Sequence, residues 1–184
     1  QLGCWSDVHL PGLTRLAEGI KAHHSVALAQ LHHAGMRSPP ELIGCSPVCP
    51  SQDEETGSRE LSTSEVEELV ESFILAALRC EAAGFDGVEL HGAHGYILCQ
   101  FLSAETNRRN DRYGGSAENR ERCVREIISG IRKRCRPGFN VGIRLSPERF
   151  GLKLSEVLVF VQSLMTEGSL DFIDMSLWDC FKAP

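Results

Sequence analysis

The feature that most constrains this chain is a helix-then-strand pattern that occurs four times in succession. Residues 11–24 place Leu13, Leu16, Ala17 and Ile20 at the i, i+3, i+4, i+7 spacing of one helix face, with Pro11 just ahead of them. Residues 25–31 follow as a near-continuous apolar run, which predicts a strand buried on both faces. Residues 62–83 predict the second helix. Ser62 and Glu65 have the spacing of a capping box, Val66, Leu69, Val70, Phe73 and Ala77 form the stripe, and Gly84 supplies the stop. The strand at 85–90 comes next. A third helix opens at Ser116, carries Val124, Ile127, Ile128 and Ile131 inward, and ends before Pro137-Gly138; a strand at 140–145 follows it. Ser155 is read as the cap of a fourth helix reaching Glu167, and 170–176 as the last strand. Residues 35–61, rich in Pro, Ser and Gly, and the segment from His91 to Gly115 are read as long connections, longer than an ordinary loop.

Such alternation implies an α/β fold with a parallel sheet. Two architectures satisfy it, a doubly wound open sheet and a (β/α)8 TIM barrel. The strands end near Gln30, His91, Arg144 and Ser176, so a polar side chain recurs where each strand meets its following loop. A barrel builds its active site at that face from several strands. A doubly wound sheet would more often carry a Gly-x-Gly-x-x-Gly turn, and neither Gly92/Gly95 nor Gly114/Gly115 fits one. The barrel is the better reading. A full barrel takes about 250 residues, and 184 residues with four strand patterns make this chain a partial one. Residues 1–184 are therefore expected to be a single fragment of a barrel domain, incomplete at both ends.

Charge and cysteine usage exclude other classes. The formal net charge of −6 lacks a basic nucleic-acid footprint, and the Arg and Lys residues between 108 and 136 alternate with Glu118, Glu121 and Glu126. No apolar run of about 18 residues is present, so no membrane span is expected. The chain does not open on Met or on a signal-peptide pattern, which reads as a processed chain or a piece of a longer one. Cys4, Cys80, Cys99, Cys123, Cys135 and Cys180 stand singly, and only Cys45 and Cys49 are close, with no second pair at zinc or iron–sulfur spacing. They are read as reduced thiols of a cytoplasmic protein, with no metal site.

The chemistry concentrates in His91-Gly-Ala-His94-Gly-Tyr96. Two imidazoles and a phenol within six residues at a strand end supply hydrogen-bond donors and a proton source. A metal pair would need a third ligand that the spacing does not place; histidines satisfied within a turn and a core-packed Tyr96 are the other readings the residues allow. Gln30 and Arg144 would open onto the same mouth. A buried amide and a fixed cation are costly without a partner, and both suit a polar ring system that becomes anionic on reduction.

Four motifs give the chain a resemblance to the Old Yellow Enzyme family of NADH:flavin oxidoreductases. They are Ala-Gln-Leu-His-His-Ala-Gly at 29–35, Gly-Phe-Asp-Gly-Val-Glu-Leu-His-Gly-Ala-His-Gly-Tyr at 84–96, Gln-Phe-Leu-Ser at 100–103 continuing through Asn107, Arg109 and Asp111 to Tyr-Gly-Gly-Ser-Ala-Glu-Asn-Arg at 113–120, and Val-Gly-Ile-Arg-Leu-Ser at 141–146. Ala104 stands where the family usually has Pro. The resemblance implies an FMN-binding barrel of which this chain supplies about strands three to six. It implies that Gln30 and Arg144 bind the flavin, that His91 and His94 hold a substrate carbonyl oxygen, and that Tyr96 delivers a proton. The implied activity is NADH- or NADPH-driven reduction of an alkene conjugated to a carbonyl, with a small α,β-unsaturated carbonyl compound as substrate. The fragment alone is expected to hold FMN weakly and to be inactive. An amine dehydrogenase or dienoyl-CoA reductase on the same barrel, and a non-catalytic remnant serving as an interaction domain, are the alternatives. A homo-oligomer of the full-length parent stays open.

Overall fold

The computed structural model describes residues 2–177 and Phe181; Cys180 lies outside the described residues. A 3-10 turn (Asp7–His9) leads into α1 (Leu10–Lys21), followed by β1 (Leu28–Leu31). After a 3-10 turn (Gly35–Arg37) and α2 (Pro40–Ile43), the short strands β2 (Val48–Cys49) and β3 (Arg59–Glu60) pair in parallel. The main repeat then resumes with α3 (Thr63–Ala82), β4 (Gly87–Gly92), α4 (Ile97–Leu102), α5 (Ala117–Arg134), β5 (Asn140–Leu145), α6 (Leu154–Thr166) and β6 (Phe172–Met175).

The main sheet runs β1-β4-β5-β6, all parallel. Spatial order follows chain order and never reverses, as it would in a doubly wound sheet. Neighbouring helices pack side by side: Gly130 of α5 leaves room for Ile74 of α3, and Arg120 of α5 pairs with Glu156 of α6. This is the arrangement of a segment of a (β/α) barrel, with helices packed over one face of the sheet and the other face turned inward.

Period-two alternation decides which residues face inward. Register aligns Gln30 with Glu89, His91 with Arg144, and Arg144 with Asp174, so these side chains share the inner face. The outer face carries Leu31, Val88, Leu90, Val141, Ile143 and Leu145, all buried beneath the helices. The expectation of strands buried on both faces therefore holds for one face only. β1 shows this most clearly. It covers four residues rather than seven, and Leu28 is 40% exposed, because β1 has a ladder partner on one side only among the described residues.

The inner face changes character along its length. A Cβ on Gly142 would meet the Phe172 ring at 2.2 Å, so glycine there lets the ring lie across the N-terminal half of the sheet. Polar groups occupy the C-terminal half. Two helix expectations also change. α6 starts at Leu154, one residue before the expected cap; Lys153 caps it through its backbone carbonyl, which accepts from the Glu156 and Val157 amides at 3.0 Å. α4 lies within the expected long connection, where no helical period shows because Ile-Leu-Cys-Gln-Phe-Leu is buried at every position.

Candidate active site

β4 carries His91 to the C-terminal end of the sheet, and the chain then turns sharply. His94 and Gly95 both adopt left-handed backbone conformations, with φ of 60° and 70°. For a non-glycine residue this costs energy and persists only where neighbours hold it. Three segments do so. The His94 amide donates to Ser146 Oγ at 3.2 Å, its carbonyl accepts from Arg37 Nη1 at 2.7 Å, and its Nε2 lies 2.6 Å from Ser176 Oγ. Tyr96 precedes α4 and turns its ring back toward the imidazoles. Ring centroids are 5.0 Å apart for His91–His94, 5.1 Å for His91–Tyr96 and 6.4 Å for His94–Tyr96.

Sequence reasoning assigned no role to His32. It lies two residues beyond Gln30, and its ring sits 4.2 Å from that of Tyr96 and 5.4 Å from that of His91. Its signal was available: two residues along a strand is the same face. Glu89 and Asp174 were also missed. Gln30 Nε2 donates to Glu89, and Arg144 Nη1 pairs with Asp174 at 3.2 Å, so each cofactor candidate has a carboxylate across the ladder. The same register arithmetic would have found both.

The imidazoles are neutral at pH 7. Burial pushes His91 down to about 4, with further lowering from His32, His94 and Arg144. Burial also lowers His94, assisted by Arg144 and Arg37 and opposed by Asp174, and it lowers His32 with help from His33. Neutral rings each keep one N–H donor. On His91, Nδ1 accepts from the Ala93 amide at 3.4 Å, so the proton sits on Nε2. A cleft of about 450 Å³ runs along β1 from Leu16 and Leu28 to His32, His91 and Tyr96.

The five predicted residues therefore meet on one inner face and its mouth. Residues 1–180 match the NADH:flavin oxidoreductase / NADH oxidase family. This chain belongs to that family. It is 41% identical to the NADPH dehydrogenase of Halalkalibacterium halodurans across all of this chain and 54% of the relative. A probable NADH-dependent flavin oxidoreductase of Bacillus subtilis is 40% identical over 94% of this chain and 49% of its own length. The chain thus spans about half the length of the curated relatives it matches. Morphinone reductase in complex with tetrahydroNAD superposes with a TM-score of 0.83 at 32% identity, covering 94% of this chain and 55% of that one. Family members depend on FMN, with NADH or NADPH as reductant.

The residues present fit a flavin of this family. Arg144 Nε is buried with no hydrogen-bond partner in the protein, an unspent donor of the guanidinium cation itself. Gln30 presents an amide on the same face. Among the described residues no cluster could hold a metal ion, and no helix is long and apolar enough to cross a membrane. The seven described cysteines are free.

Proposed function

We propose that this chain forms the central part of the FMN-binding barrel of an NAD(P)H-dependent ene-reductase, which reduces an alkene conjugated to a carbonyl. The observation that carries this reading is the cluster of neutral imidazoles and a phenol, His91, His94 and Tyr96, at the mouth of a face that also bears Gln30 and Arg144. An FMN held there would supply hydride transfer. Gln30 and Arg144 would hold its polar ring edge through an amide and a fixed positive charge.

The remaining work falls to the turn. His91 and His94 donate hydrogen bonds to the substrate carbonyl oxygen and stabilise the negative charge that develops on it. Tyr96 holds the proton destined for the α-carbon. The Arg37 guanidinium lies 5.6 Å from the Tyr96 ring centre and bonds the His94 carbonyl, so one side chain orients both groups.

The free cysteines support a reducing, cytoplasmic-type compartment. We read residues 1–184 as one piece of a single barrel domain; alone it is expected to hold flavin weakly, because its four strands leave open sheet edges that a closed barrel would pair. The test is anaerobic NAD(P)H oxidation by the flavin-loaded full-length parent with 2-cyclohexenone as acceptor. Enone-dependent turnover supports the proposal. Flavin reduction by an amine with no response to enone would favour the amine-dehydrogenase alternative, and a full-length parent that never takes up flavin would favour a non-catalytic remnant.

A further inference from the structure

One hydroxyl touches both halves of the site. Ser176, just past β6, places Oγ 2.6 Å from His94 Nε2, and Arg144 Nη2 donates to the same oxygen at 3.4 Å. A guanidinium has donors only, so toward Arg144 the serine oxygen is an acceptor. Its single O–H remains for its other partner. We infer that Ser176 is a positioning residue that donates to His94 Nε2 and so places the imidazole proton of His94 on Nδ1. This rests on the reading of His91 and His94 as the pair that holds a carbonyl oxygen.

The consequence is a complementary pair of tautomers. His91 is protonated on Nε2, because its Nδ1 accepts from the Ala93 amide. His94, with Nε2 accepting from Ser176, is protonated on Nδ1. The rings stand at 87° to one another, so the mouth presents two N–H donors of opposite tautomer from two directions. A ligand oxygen with two lone pairs, a carbonyl or a phenolate, is the chemistry such a mouth takes. The reversed arrangement, with His94 Nε2–H donating to Ser176, would turn a bare Nδ1 lone pair outward and repel that oxygen. Backbone contacts cannot make this choice. Ser146 and Arg37 hold the His94 main chain but not its ring. Burial and the nearby Arg144 and Arg37 keep the ring neutral, so it carries one proton to be placed.

The experiment is long-range 1H–15N correlation of histidine side chains in the flavin-loaded full-length parent, paired with titration of 4-chlorophenol followed by its charge-transfer band. The wild-type protein is expected to show His94 protonated on Nδ1 and His91 on Nε2. Ser176→Ala should convert His94 to a mixture of tautomers and weaken phenol binding about 3- to 10-fold, the scale of one hydrogen bond. Ser176→Thr, which keeps the hydroxyl, should restore both. A wild-type His94 protonated on Nε2, or a tautomer unchanged in Ser176→Ala, overturns the role of Ser176. If the tautomer shifts as expected while phenol affinity stays at the wild-type value, Ser176 keeps its role and the carbonyl-holding reading of the two histidines fails.

Discussion

His91 and His94 are three residues apart, yet the protein holds them in different ways. His91 is part of β4, whose hydrogen-bonded ladder with β5 fixes its level beside Arg144. His94 lies outside the ladder in a left-handed conformation that Arg37, Ser146 and Ser176 hold from three separate segments. Gln30, His91 and Arg144 are strand-held; His94 and Tyr96 are turn-held. Strand-held groups have positions set by the whole sheet and suit a permanent electrostatic frame. Turn-held groups depend on a few side-chain contacts and suit the part of the site that meets a variable substrate.

The largest effect should come from the turn. In the flavin-loaded full-length parent, the host for this and the following active-site variants, Tyr96→Phe is expected to slow the enone-dependent step by about 10²-fold, the low end of general-acid losses, while the NAD(P)H-dependent step stays near wild type. Stopped-flow measurement of the two half-reactions checks this, and slowing confined to the NAD(P)H step would remove Tyr96 from the proton role. His91→Ala comes next. Losing a hydrogen bond to a charged ligand should weaken phenolate binding about 10- to 100-fold, abolish the charge-transfer band at ordinary concentrations and raise the enone KM. If phenolate binding is unchanged, the strand-held histidine is not a ligand contact.

Arg144 sharpens the strand side. Arg144→Ala should lower the reduction potential of the bound flavin and slow its reduction by NAD(P)H by about tenfold. Arg144→Lys should restore only part, because a point charge lacks the planar fork that also reaches Asp174 and Ser176. A normal potential in Arg144→Ala would break the contrast between frame and turn.

The smallest effect is on stability. The His91 ring titrates near about 6.5 when unfolded and is pushed down to about 4 in the fold. Between those values the unfolded state binds more protons. Stability is therefore complete above the unfolded value and falls as pH drops from there toward the folded one. Urea unfolding as a function of pH should show this slope, and His91→Gln should flatten it.

Much of this was legible in the sequence, and the misses share a cause. The strand at Asn140–Leu145 and the Ser62–Glu65 capping box appear as read, because a buried apolar run and a local hydrogen-bond motif are encoded by their own residues. The length of β1 was not legible, because burial there depends on what lies across a sheet edge. α4 was hidden because complete burial erases periodicity. In the site, residue types at a strand end single out His91, His94, Tyr96, Gln30 and Arg144 as candidates, and the fold brings them to one face and its mouth. Glu89 and Asp174 needed the register between strands, which no single segment contains; His32 was within reach of the two-residue period from Gln30, and Ser176 is read only as a strand end, because its contact with His94 joins two distant segments.

The long loops are tied to one another by Arg109, whose side chain is 4% exposed. Its guanidinium donates to the carbonyls of Pro50 and Leu61 and pairs with Asp111, whose carboxyl it holds down at about 2. Asn107 adds bonds from its Nδ2 to the carbonyls of Phe101 and Tyr113. Neither loop can lift away without stranding this buried cation, a cost of several kcal/mol. The two segments, about fifty residues apart in sequence, should therefore open to solvent together, as one cooperative unit in hydrogen exchange and as one event in proteolysis.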